Sequence, residues 1–138
     1  MQLFDSMSEA AKGMRAQSTR MRVISENLAN ADTTATTKGG MPYQRKMVTF
    51  KDVMNGKTDQ KEVEVSGVVT DKSPFTLKYD PSNPAADKNG YVKMPNVNPL
   101  IEMMDMREAQ RSYEANLGVI DIAKAMMNDT ITQISQAP

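Results

Sequence analysis

The sequence contains no cysteine and no histidine. Disulfide cross-links, Cys/His zinc sites and any Cys or His nucleophile or base are therefore excluded. Lack of cysteine fits the cytosol, and equally a protein that finishes in an oxidising compartment without using it. No apolar run approaches the ~20 residues needed to span a bilayer. The opening MQLFDSMSEAAKGMR has no basic region followed by an apolar core, so a soluble chain without a cleaved secretory signal is expected. A dominant sign of charge is missing too. Lys+Arg and Asp+Glu both number 17, for a net charge of +0, which offers nucleic acid or an anionic membrane no general handle.

What is present is methionine, 13 of 138 residues, in a chain 39% hydrophobic and 25% charged. The length suits one compact domain, or one small core with helices attached. Phe4, Met7, Ala11, Met14, Ser18, Met21, Ser25 and Leu28 recur at alternating spacings of three and four, the heptad pattern of a helix that meets other helices along a seam. A helix over Leu3–Leu28 is predicted. A second begins at Asn98, a good N-cap, with Pro99 in the first turn and Glu102 and Asp105 where the helix dipole favours carboxylates. Its seam reads Met103, Met106, Gln110, Tyr113, Leu117, Ile120, Lys124, Met127, Ile131 and Ile134. Such a helix would be roughly 50 Å long, too long for a domain this small to wrap. Met104, Ala115, Gly118, Ile122 and Ala125 form a further apolar side. A helix apolar on more than one side must be buried on more than one side, so the helical ends are expected to be completed by assembly. The ends are mildly complementary in charge: Lys12, Arg15, Arg20 and Arg22 lie in the first, Glu102, Asp105, Glu108, Glu114, Asp121 and Asp129 in the second. Unbranched, polarizable methionines suit either a plain core or a surface that packs against several slightly different neighbours.

Between the helices the pattern changes to period two. Pro42–Phe50, Glu62–Val69, Phe75–Tyr79 and Tyr91–Met94 read as strands, with Asn89-Gly90 a tight turn before the last. Lys51–Lys61 reads as a polar, flexible hairpin tip. With aromatics at only 5%, this module is thinly cored and marginal alone. The expected organisation is an N-terminal coiled-coil helix (1–30), a loop and small β-rich module (31–97), and a C-terminal helix (98–138) that packs with the first. The fold class is mainly α with a small β insert.

Catalytic and metal motifs are wanting. Glu62 and Glu64 share one strand face, but Lys61 beside them and Val63 and Val65 opposite make a solvated strand. DPSNPAADKNG fails the calcium-loop spacing, and KGGMP lacks the strand-to-helix context of a phosphate cradle. No enzyme activity, metal, cofactor or small-molecule substrate is expected.

The first helix runs into SENLANADTT. Asn27 and Asn30 lie on one side of its last turn, flanking Leu28. Asn30 can close the helix, and Asp32, Thr33 and Thr34 can cap the turn that follows. The residues Asn27, Leu28, Ala29, Asn30, Ala31, Asp32 and Thr33 resemble the N-terminal signature of the bacterial flagellar axial proteins, the rod, hook and hook-associated family. Several relatives continue straight to Pro-Gly-Tyr, whereas this chain inserts TATTKGGM before Pro42-Tyr43. That loop, NGYVKMPNVN and RSYEANLGVIDIAKAMM resemble the proximal rod subunits within the family; Lys51–Lys61 matches least. The resemblance implies a non-enzymatic structural subunit of the flagellar basal body. In such proteins the terminal helices pack with copies of themselves and with other rod proteins into a hollow shaft that crosses the periplasm and transmits torque. It further implies export through the flagellar type III apparatus, and contact with membrane-ring and export-gate proteins at the rod base. On this reading Phe4, Met7, Met14, Met21 and Leu28 meet Met103, Met106, Tyr113, Leu117, Ile120, Met127, Ile131 and Ile134 within and between subunits. Leu117→Asp is then expected to cost several kcal/mol by burying an unpaired charge. A soluble coiled-coil adaptor or export chaperone would use the same stripes.

Overall fold

In the computed structural model, which describes residues 2–54 and 61–136, the chain runs helix, four strands, helix. Helix α1 spans Gln2–Ala29 and helix α2 spans Pro99–Ser135; β1 is Lys46–Met54, β2 Lys61–Thr70, β3 Thr76–Tyr79 and β4 Tyr91–Met94. For Met54, Lys61 and Glu62 only the backbone is described, and the expected hairpin tip lies largely outside the described residues.

The start of α2 follows the sequence signals. The Asn98 side chain accepts the Leu100 N–H, and proline occupies the first turn, where its missing N–H costs nothing. At the end of α1, Asn30 turns its amide back and donates to the Glu26 carbonyl at 2.8 Å, the same carbonyl that receives its backbone N–H, and so closes the last turn twice. Its backbone oxygen then receives the Thr33 N–H.

The strands form two separate antiparallel ladders, β1 with β2 and β3 with β4. β1 begins four residues later than the alternation of Pro42–Phe50 suggests. Proline ahead of it has no donor, and two further donors are engaged elsewhere, Tyr43 N–H with the Thr33 carbonyl and Arg45 N–H with the Asn96 side chain. A bulge at Thr49/Phe50 re-registers the ladder, so Thr49 faces Gly67 and Phe50 faces Val65. The short β3–β4 ladder turns through Gly90 at φ 84°, a left-handed conformation in which a Cβ would meet the Tyr79 ring at 2.9 Å. Asp87 holds that turn by accepting the N–H groups of Asn89 and Tyr91.

Among the described residues apolar burial is slight. One cluster, Ala85, Ala86 and Val92 with Ala35 and Met94 beside it, sits under the β3–β4 ladder. In the helices the buried apolar residues are Ala10, Ala16, Val23 and Ile24 on α1, and Ala109 and Ala123 on α2.

The helices pack antiparallel, with Asn27 near Glu102, Arg20 near Glu108 and Gly13 against Asn116. Their contact lies one residue round from the stripes of large apolar side chains. Glu102, Ala109 and Ala123 are buried where Met103, Gln110 and Lys124 were expected, and on α1 Asn27 is buried while Leu28 is only partly so. One residue is a rotation of about 100°. The reason is steric and polar together. Small residues let the two backbones approach, and a buried polar cluster at one end chooses the faces that meet.

Candidate functional site: a polar hub and open helix faces

Asn27, inside the signature, is 1% exposed. Its Oδ1 accepts the Lys46 N–H at 2.9 Å and the Tyr43 hydroxyl at 2.9 Å, and its Nδ2 donates to the Lys46 carbonyl at 2.8 Å. The side-chain amide thus stands in for a neighbouring strand and docks the head of β1 on the end of α1. The same Nδ2 lies 3.1 Å from Oε2 of Glu102, itself 1% exposed. The other Glu102 oxygen receives Nε of Arg45. Arg45 extends the cluster further, with Nη1 3.4 Å from Asp71 and Nη2 3.6 Å from Asp105. Asn96 completes it: its Oδ1 accepts the Arg45 N–H at 2.7 Å, and its Nδ2 donates to the Asp71 and Ser73 carbonyls. Both helices, the head of β1, the exit of β2 and the segment after β4 therefore converge on one point.

The electrostatics suit permanent charge here. Burial disfavours the charged form of Arg45, but its bonds to Glu102 and Asp71 outweigh this, and its pKa rises above the ordinary value. Burial also raises the Tyr43 hydroxyl, which keeps the proton it donates to Asn27. Hydrogen bonds from Ser73, and then Arg45, hold Asp71 below the usual carboxylate range. Lys46, 3.1 Å away, does the same for Glu26. Every buried polar group named so far has its partner, as a low-dielectric site demands. This is a joint that ties five segments of the chain together.

The large apolar side chains lie elsewhere. Of the stripe residues, Met7, Met14, Met21, Leu28, Met106, Tyr113, Ile120 and Met127 are partly covered, flanking the contact between the helices. Phe4, Met103, Leu117, Ile131 and Ile134 are exposed. Leu117 is 42% exposed, so Leu117→Asp places no buried charge within the monomer and the stability cost expected from the sequence does not apply there. On the second apolar side, Met104 and Ile122 are exposed, with Leu100, Val119 and Met126 along the same face. The remaining signature residues lie at the rim: Ala29, Asp32 and Thr33 exposed, Asn30 and Ala31 half-buried.

Sequence reasoning placed Glu102 only as a dipole-favoured carboxylate and passed over Arg45, Asp71 and Asn96. A signal for Glu102 did exist. Glu102, Ala109, Asn116 and Ala123 repeat every seven residues as a small and polar ridge beside the methionine stripe. Arg45, Asp71 and Asn96 stand alone in loops and strand ends, where no periodicity marks them. Among the described residues no group of His, Cys, Asp and Glu could hold a metal ion, and no helix is long and apolar enough to cross a membrane.

Both ends of the chain match flagellar families. Residues 7–35, which carry α1 and the Asn27–Thr33 signature, match the family described as flagella basal body rod protein. Residues 88–134, with β4 and most of α2, match the C-terminal region of the flagellar basal body rod FlgEFG proteins. The likeness extends across the middle. The chain is 50% identical over 131 residues to the flagellar basal-body rod protein FlgC of Agrobacterium fabrum, covering 92% of this chain and 94% of that one. It is 43% identical over 133 residues to FlgC of Salmonella typhimurium (96% and 98% covered). Against FlgC of Bacillus subtilis it is 39% identical over 142 residues (92% and 95%). The chain belongs to the FlgC-like family of flagellar basal-body rod proteins.

Proposed function

We propose that this chain is a structural subunit of the flagellar basal-body rod, in its proximal part, and has no catalytic role. The observation that carries the reading, beside the family, is the uncovered apolar face of α2. Leu100, Met104, Ile122 and Met126 stand in solvent on a helix of 37 residues, a surface that a monomer has no means to bury. Neighbouring subunits, copies of this chain or other rod proteins, cover it when the terminal helices lie side by side in a hollow helical shaft. Met7, Met14, Met21, Leu28, Met103, Leu117, Ile131 and Ile134 complete that packing, and the unbranched methionines among them tolerate neighbours of unequal shape. The shaft transmits torque across the periplasm. Its base meets membrane-ring and export-gate proteins, and the subunit arrives there by flagellar export, without a cleaved signal. Basal bodies purified from cells that make an epitope-tagged chain test this. The tag is expected in the rod density and absent from the soluble fraction. A chain that stays soluble and stoichiometric with an export substrate would instead be an adaptor or chaperone.

A further inference from the structure

Much of the contact between the helices is made by small side chains, which by themselves hold a stagger weakly. On α2 the buried apolar residues are Ala109 and Ala123, two heptads apart, and on α1 Ala10 and Ala16 are buried along with the larger Val23 and Ile24 near the Asn27 end. From the stagger that pairs Asn27 with Glu102 and Gly13 with Asn116, a one-heptad shift would set Gly13 against Ala123 and Arg20 against Asn116, so the small residues alone leave two staggers close to degenerate. Two polar contacts break that degeneracy. Asn27 meets Glu102 at one end, and near the middle Gly13 leaves the space that Asn116 fills, with a Cβ at Gly13 falling 2.7 Å from the Asn116 amide nitrogen. Both contacts obey one antiparallel stagger.

We propose that Asn27, Glu102 and Arg45 form a register lock, which fixes the stagger of α1 against α2 and so determines which apolar faces the subunit presents. A one-heptad slip would bring Asn27 opposite Ala109 and strand the Glu102 carboxylate with no amide donor. It would also pull α1 away from the Lys46 backbone that Asn27 now bonds in both directions. Buried polar groups of this kind specify an arrangement without adding much to stability. The lock therefore makes a prediction that a plain stabilising role does not: replacing all three residues with apolar ones of similar size strands no carboxylate and leaves the helices folded, yet loses the stagger.

The test uses the full chain, which has no cysteine of its own. The present stagger sets Gln17 opposite Ser112, and a one-heptad slip would set it opposite Val119. Two double substitutions, Gln17→Cys with Ser112→Cys and Gln17→Cys with Val119→Cys, report the two registers by disulfide formation, because a disulfide demands close Cα approach. With the lock intact only the first pair is expected to cross-link. In the triple background of Asn27→Leu, Arg45→Met and Glu102→Leu no carboxylate is stranded, and the chain is expected to stay folded with a melting temperature lowered only by the lost Lys46 and Tyr43 bonds. The slipped pair should then appear in on the order of one molecule in ten or more, as two nearly equal registers would give. The nearly isosteric Glu102→Gln guards against a triple variant that fails to fold, and should show the slipped pair at a smaller fraction. Exclusive cross-linking of the first pair in Glu102→Gln, and in the triple variant wherever that folds, would overturn the lock.

Discussion

Asn27→Ala removes one amide that makes four hydrogen bonds: two to the Lys46 backbone, one from Tyr43 and one to Glu102. A neutral bond of this kind contributes about 1 kcal/mol net, and a buried group left without its partner costs about 1–3 kcal/mol, more where it is charged. The Lys46 backbone groups lie toward the surface and can recover part of their loss from water. The Glu102 oxygen, in a residue 1% exposed, cannot. The sum is about 3–5 kcal/mol, most of it from the strand junction and the stranded carboxylate. For a domain of this size that is a melting temperature lower by roughly 10–15 °C, read by circular dichroism on dilute protein. Asn30→Ala is the control. It loses the bond to the Glu26 carbonyl and the one from the exposed Thr33 hydroxyl, both at a solvated helix end, and should cost about 1 kcal/mol. Equal effects from the two asparagines, or a loss below about 1 kcal/mol for Asn27→Ala, would refute the assignment of Asn27 as the joint between helix and strand.

Three more outcomes are expected. Ile122 is 63% exposed, so Ile122→Asp should change monomer stability by no more than about 0.5 kcal/mol while abolishing rod assembly and motility; a motile strain would count against the α2 face as an interface. Asp71 and Glu26 titrate below their ordinary values of 3.8 and 4.5, so each stabilises the fold above that value and the contribution disappears as pH falls through the lower folded-state pKa. Asp71→Asn with Glu26→Gln should flatten the acid limb of a stability–pH curve below about pH 4.5 and leave its slope at neutral pH alone. Gly90→Ala adds a Cβ 2.9 Å from the Tyr79 ring at a φ of +84°. It should cost about 1–3 kcal/mol, visible as lost amide protection in β3 and β4, with α1 and α2 little affected.

Much of the architecture was legible without coordinates because it is local. A helix announces itself through a period of three to four and through its caps, both properties of residues adjacent in the chain, and the Asn98-Pro99 start of α2 is marked by two residues. β4 came out at Tyr91–Met94 because Asn89-Gly90 marks the turn before it. The late start of β1 was hidden: whether Arg45 N–H joins a ladder depends on Asn96, far along the chain. The signature asparagines are an intermediate case. Local chemistry identified Asn30 as a helix stop, but nothing local shows that Asn27 turns inward to a strand and a second helix.

Sequence alone determined that two long amphipathic helices enclose a small β module, and that they carry more apolar surface than so short a chain can cover. Tertiary structure decided which faces meet. Hydrophobic periodicity ranks faces by greasiness, whereas the closest helix contact here uses the faces with the smallest side chains and one satisfied polar cluster. Alanines and Gly13 permit the approach, and Asn27, Glu102 and Arg45 select it. That choice depends on residues from five separate segments arriving together, which no pattern along a single helix encodes.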